Sequence, residues 1–163
     1  MSKIHCEYTE LKEPESLVGH PKNPNEHSEE QIRLLAKIIN HQGWRNPIVV
    51  SRRSNFIVAG HARLKAALHL KVESVPVDFQ DFENEADEYA HLVADNRIAE
   101  LAEADNSLIA ELIAELEAQG LSAELAGFTS EDLESLIKDI GIDEGDEDAE
   151  INEELADQLE DKW

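Results

Sequence analysis

Four consecutive residues, Gly60-His61-Ala62-Arg63, carry the most informative chemistry in this 163-residue chain. They join a β-rich run, Phe56-Ile57-Val58-Ala59, to a helix-patterned run from His61 to Leu70. The first N–H groups of a helix lack intrahelical acceptors, and the helix dipole adds partial positive charge at the same end. Glycine lets a phosphate approach the backbone closely, and an arginine in the first turn can fork onto two phosphate oxygens. The expectation is a phosphate site at Gly60, His61, Ala62 and Arg63. Because strand–glycine–helix junctions also occur as plain architecture, the junction alone does not name the ligand. A valine at position 60 is expected to block the approach without unfolding the domain, provided Gly60 has ordinary dihedrals. Further along, Asp95 and Asn96 are adjacent oxygen donors suited to Mg²⁺; a polar helix face is the alternative reading.

Other chemistry-bearing residues are less organised. The histidines at positions 5, 20, 27, 41, 61, 69 and 91 show no metal-ligand spacing, and only His61 is placed to touch a ligand. Cys6 is the single cysteine, which excludes an internal disulfide framework and a cysteine-rich zinc site. It reads as a small core residue in a strand, and Trp44 as a packing residue. Arg45, Arg52 and Arg53 are the candidate DNA contacts. A metal nuclease needs clustered carboxylates, and residues 1–80 hold no such cluster.

Charge divides the chain. Its net charge is −23. Residues 1–80 carry 11 Lys/Arg against 9 Asp/Glu, a net of +2, whereas residues 81–163 carry 3 against 28, a net of −25. The first part can meet a polyanion and the second repels one. No lysine or arginine occurs from Ile98 to Ile137, so no helix there can read DNA, whose affinity comes largely from phosphate neutralisation. No apolar run approaches the roughly 18 residues of a membrane span, and the N-terminus has no secretion-signal pattern, so a soluble cytoplasmic protein is expected.

The elements that must position these residues follow from periodicity and punctuation. Ile4 to Leu11 alternates loosely and reads as a short strand. Glu13 to His27, with Pro14, Gly19, Pro21 and Pro24, reads as a loop. Ser28-Glu29-Glu30-Gln31 is a capping box that opens a helix stopped by Gly43. Asn46 to Val50 and Phe56 to Ala59 form a hairpin, and Val72 to Phe79 a strand that Pro76 assigns to an edge or an irregular place. Asn84 caps a helix to about Glu103. Asp105 or Ser107 caps a second, with a wide apolar stripe of Leu108, Ile109, Leu112, Ile113 and Leu116, ended by Gly120. Thr129 caps a third. From Asp143 to Trp163, 11 of 21 residues are acidic and one is basic, a composition that predicts disorder. The class is α+β: a small mixed-sheet domain over 1–103, a helical extension over 104–141 and an acidic tail over 142–163.

Pro21-Lys22-Asn23-Pro24, the capped helix ending at Gly43, Asn46-Pro47-Ile48-Val49-Val50, Ile57-Val58-Ala59-Gly60-His61-Ala62-Arg63, Val75-Pro76-Val77 and Asp95-Asn96-Arg97 occur in an order that resembles the N-terminal domain of ParB, in the ParB/sulfiredoxin superfamily. The resemblance covers about Ile4 to Glu103. The Gly-His-Ala-Arg variant is closer to ParB-like domains of phages and mobile elements, often joined to DNA methyltransferases; no methyltransferase motif follows here. Sulfiredoxins carry their reactive cysteine in a Gly-Cys-His-Arg loop. Here His61 follows the glycine, which excludes that thiol chemistry. His61 and Ala62 also replace the central Glu and Arg of the ParB Gly-Glu-Arg-Arg box, and Asp95 is one methylene shorter than the usual Glu.

The resemblance implies a nucleotide-binding module for CTP or ATP with Mg²⁺. Gly60, His61, Ala62, Arg63 and Asn46 would contact the nucleotide, and Asp95 and Asn96 the metal. Slow triphosphate hydrolysis, a homodimer, and a role in DNA partition, DNA modification or phage DNA metabolism belong to the same implication. The competing readings are an acidic interaction module on this scaffold and a ParB-like nuclease.

Overall fold

A computed structural model describes residues 3–141 of the chain. The acidic tail expected over 142–163 lies outside the described residues. The chain divides into two compact units, Met1–Ala102 and Glu103–Trp163.

The first unit is built on a five-stranded sheet: β1 (Glu10–Lys12), β2 (Val18–Gly19), β3 (Ile48–Ser51), β4 (Phe56–Ala59) and β5 (Val75–Gln80), in the spatial order β1-β5-β3-β4-β2. The β-branched runs Ile48-Val49-Val50 and Ile57-Val58 form the expected antiparallel hairpin, irregular between Val49 and Val50. Its turn is closed by Asn55 N–H donating to Ser51 O, with Asn55 at φ +60°. β3 runs parallel to β5, β1 antiparallel to β5, and β2 parallel to β4, so the sheet is mixed.

Three helices accompany this sheet. α1 (Glu29–Gln42) opens on the capping box: Gln31 N–H donates to Ser28 Oγ, and Ser28 N–H donates to the Gln31 side chain, both at 3.2 Å. It ends at Gly43, whose φ of +76° few other residues adopt and whose N–H reaches Ile39 O. α2 (His61–Leu70) follows β4 directly, and α3 (Glu85–Glu100) is capped by Asn84, which accepts from Asp87 N–H at 2.9 Å. The core joins Ile48, Val50, Ile57, Val75 and Val77 of the sheet to Ala36 and Ile39 of α1, Ala66 and Ala67 of α2, and Trp44. Burying each large aliphatic side chain contributes about 1.5–3 kcal/mol. Paired alanines on α2 leave room for its close packing on α1. Cys6 is half-buried against this core, and burial pushes its thiol pKa up.

Several expected elements take a different form. The alternation over Ile4–Leu11 is present as half-buried Ile4 and Cys6, but β1 occupies only Glu10–Lys12. Ile4 instead makes an isolated bridge to Trp44, so those residues lack a strand to pair with. The proline-rich loop contains a 3₁₀ turn, Pro14–Ser16, started by Pro14, and β2. Nor is β5 an edge. Val77 gives its carbonyl to Thr9 N–H on the β1 side, which turns the Pro76 nitrogen towards β3, and β3 begins only at Ile48 opposite Val77. The missing N–H therefore falls where no ladder partner exists. Helix α3 stops at Glu100.

The second unit holds α4 (Asn106–Ala118), a 3₁₀ turn at Ala123–Ala126 that the sequence reading lacked, and α5 (Ser130–Gly141). Asp105 caps α4 through Leu108 N–H at 3.0 Å. Thr129 N–H donates to Asp132 Oδ2 at 2.8 Å while Asp132 N–H donates to Thr129 Oγ1 at 3.3 Å, which opens α5. Ala110, Ile113, Ala123, Leu133, Leu136 and Ile140 form its core. The expected apolar stripe on α4 is split, since Ile113 is buried while Leu108 and Leu112 are exposed. Among the described residues of this unit no strand occurs, and none of its helices or those of the first unit is long and apolar enough to cross a membrane. The architecture is α+β.

Candidate functional site

A cleft of about 310 Å³ opens in the first unit where β4 passes into α2. Gly60, His61, Ala62 and Arg63 form one wall, Trp44, Arg45 and Asn46 ahead of β3 another, and Asp95 and Asn96 of α3 a third. The three regions lie far apart in sequence, and the hairpin and α3 bring them together.

Gly60 supports this wall in two ways. Its φ of +99° and ψ of +24° lie in the left-handed region, where a side chain costs about 1–2 kcal/mol. A Cβ there would also sit 3.0 Å from Arg63 Nη2. The expectation that a valine at 60 leaves the fold undisturbed is therefore corrected, because its premise of ordinary dihedrals fails. No side chain caps α2, so its first N–H groups remain available to an anion.

Arg63 folds back over Gly60, and its Nη2 donates to Pro47 O at 2.9 Å. Its Nε is buried without a hydrogen-bond partner. Desolvation pulls the guanidinium pKa below its usual value, and the charge of Asp95 works against that shift. Trp44 is 1% exposed, and its Nε1 is likewise buried without an acceptor. Two unpartnered donors on residues that line one cleft are costly unless something accepts from them.

His61 accepts from His20 N–H through Nε2 at 3.0 Å. Burial first, then the neighbouring His20, His27 and Lys65, push its pKa down to about 4, so the ring is neutral at physiological pH.

Asp95 and Asn96 are exposed on α3. Among the described residues no three His, Cys, Asp or Glu side chains gather into a metal-holding group. Two oxygen donors fit Mg²⁺ shared with phosphate oxygens and water, and do not fit a metal held by protein ligands alone.

The three arginines read as DNA contacts are not grouped. Arg45 lies at the cleft, before β3, while Arg52 and Arg53 lie beyond its far end. Arg52 pairs with Asp81 at 3.3 Å, and Arg53 Nε donates to Glu88 Oε2 at 3.2 Å.

The sequence reading missed a buried polar network around Glu88, which is 0% exposed. Ser54 Oγ donates to Glu88 Oε1 at 2.7 Å, Ser51 Oγ to Oε2 at 2.8 Å, and His20 Nε2 lies 3.2 Å from Oε1. Burial works to raise the carboxyl pKa, but the hydrogen bonds from Ser54 and Ser51 and the charge of Arg53 hold it below its usual value. One signal was available: Glu88 stands four residues before Leu92, so on a helix the two share one face, and that face is the one α3 buries.

Comparison with known proteins agrees with this architecture. The chain is 39% identical over 75 residues to the ParB-like nuclease domain-containing protein YnaK of Escherichia coli (strain K12), covering 46% of this chain and 82% of that protein. Its fold is similar to that of C-terminally truncated chromosome-partitioning protein ParB from Caulobacter crescentus, solved with CTP-gamma-S, at a TM-score of 0.55 and 18% identity over 90% of this chain and 97% of that one. The family model for the ParB N-terminal domain matches residues 7–96, which run from the segment before β1 to the cleft residue Asn96. The chain belongs to the ParB N-terminal domain family.

Proposed function

We propose that this chain is a nucleotide-binding module whose cleft holds the triphosphate of CTP, or of ATP, with Mg²⁺. The observation that carries the reading is the meeting of the uncapped start of α2, the buried guanidinium of Arg63 and the Asp95–Asn96 pair around one cleft. Phosphate oxygens would accept from the N–H groups of His61, Ala62 and Arg63 and from the guanidinium. Asp95 and Asn96 would hold the Mg²⁺, which offsets phosphate charge when bound. The similarity of fold to a ParB solved with CTP-gamma-S supports the choice of ligand class. The Gly-His-Ala-Arg loop leads us to place the module in the phage and mobile-element branch, serving DNA modification or phage DNA metabolism.

Calorimetry with CTP, ATP and GTP in the presence of Mg²⁺ tests the reading. Heat with one nucleotide that is lost in Arg63→Ala supports it, and no heat at millimolar ligand with folded protein overturns it. A nuclease reading draws on the name of the Escherichia coli relative. It ranks second because a metal-dependent nuclease needs gathered carboxylates, and the described residues hold no such group.

A further inference from the structure

The segment after β2 and the start of α2 meet through two histidines. His20 N–H donates to His61 Nε2 at 3.0 Å. An imidazole nitrogen that accepts a hydrogen bond carries no proton, so in the neutral ring the proton sits on Nδ1. The Cδ2–Nε2 edge of His61 lies against Gly19, where an added Cβ would stand 3.3 Å from Cδ2. Nδ1 is on the opposite side of the ring, and His61 lines the cleft.

The donor is itself held in place. Lys22 N–H donates to His20 Nδ1 at 3.0 Å, so the proton of His20 is on Nε2, directed at Glu88 Oε1 3.2 Å away. The rings of Phe56 and Tyr89 meet the His20 ring edge-on, with centroids 5.4 and 5.6 Å distant. A buried carboxylate on α3 thus fixes His20, and His20 fixes which nitrogen of His61 is protonated.

We propose that His61 is a neutral hydrogen-bond donor that presents Nδ1–H to an anionic oxygen of the bound ligand, with its tautomer set by the His20 backbone. The proposal rests on the cleft being the nucleotide site. It gives a role to the residue that replaces the usual Glu of the family loop. Burial, together with Lys65 of α2, opposes a second proton on the ring, and the titratable side chains His20 and His27 face it from the segment between β2 and α1. Arg63 adds positive charge at the cleft, and Asp95, from α3, is the acidic side chain there. Grip on the anion should therefore be flat between pH 5.5 and 8 as far as His61 is concerned. A cationic histidine in the same place would lose grip as pH rises through about 6.5.

The test is a long-range ¹H–¹⁵N correlation of the imidazoles in the full chain, with and without CTP and Mg²⁺, beside calorimetry of wild type, His61→Asn and His61→Gln. The expected spectrum has His61 Nδ1 protonated and Nε2 unprotonated throughout that pH range, with Nδ1 shifting on addition of CTP. Asn can mimic Nδ1–H and should keep most of the affinity, whereas Gln should bind about tenfold more weakly. A protonated Nε2 in the free protein, as the other tautomer or as imidazolium at pH 6.5, overturns the proposal. So does CTP that binds with heat yet leaves Nδ1 unmoved, an outcome that spares the nucleotide reading. No heat from CTP, with the Nδ1–H tautomer present, overturns the nucleotide reading and with it the ligand contact assigned to His61.

Discussion

Arg63 has two demands on one guanidinium, since Nη2 is committed to Pro47 O while Nε is buried without a partner. Arg63→Ala should weaken nucleotide binding by about 1.5–3 kcal/mol, the range for a hydrogen bond to a charged group, which calorimetry reads as roughly 10- to 150-fold. Gly60→Ala places a methyl group against that guanidinium and a side chain at φ +99°. Urea denaturation should show a loss of about 1–2 kcal/mol. Acid acts on two other residues. The folded pKa of His61 is about 4 against an ordinary 6.5, so between those values the unfolded chain binds a proton that the folded chain does not. Stability is then full above about pH 6.5 and declines as pH falls towards 4. Glu88, held below its ordinary value of 4.5, adds a further loss below that pH. Thermal unfolding from pH 4.5 to 7 should show the first slope, and His61→Asn should flatten it. Residue types at Gly60 and Arg63 were enough to expect an anion site. The unpaired Trp44 Nε1 was not legible, because a buried tryptophan looks the same in sequence whether or not its N–H finds an acceptor.

Helix α3 joins two tasks at the scale of elements. Near its start Glu88 receives the Ser51, Ser54, Arg53 and His20 donors, and two turns on Asp95 and Asn96 reach the cleft. Glu88→Ala leaves buried donors without an acceptor, each costing about 1–3 kcal/mol. It should destabilise the first unit by at least one such increment in urea, and nucleotide affinity should fall with it because α3 loses its anchor. An equal affinity in Glu88→Ala would separate the network from the cleft. Helices were the most legible elements, since α1, α3, α4 and α5 announce their starts by Ser28, Asn84, Asp105 and Thr129. The sheet was less so. β2 is two residues long and is defined by pairing with β4, which no local pattern encodes. Pro76 argued for an edge because the sequence does not say which side of β5 its nitrogen faces.

The whole molecule carries −23, with the excess in residues 81–163. Binding of the chain to duplex DNA should be weak near 150 mM salt, because the summed field opposes approach and Arg52 and Arg53 already hold carboxylates. Fluorescence anisotropy across a salt series reads this; nanomolar affinity at that salt would contradict it. The residues between α3 and α4, 101–105, are exposed. Limited proteolysis should cut there first and leave the first unit folded, with its cleft able to bind nucleotide.

The order of strands in the sheet has a consequence for the chain as it leaves the ribosome. β1 and β2 are made first, yet their partners are β5 and β4, and His20 precedes Glu88 by 68 positions. At about 5–20 residues per second of synthesis, that interval lasts roughly 3–14 s. For most of that time β1 waits for β5 with its backbone groups open to any other strand, whereas β2 can pair as soon as β4 is made. The cleft, which Asn96 lines, is complete only as the first unit completes, so a nascent chain lacks it until then.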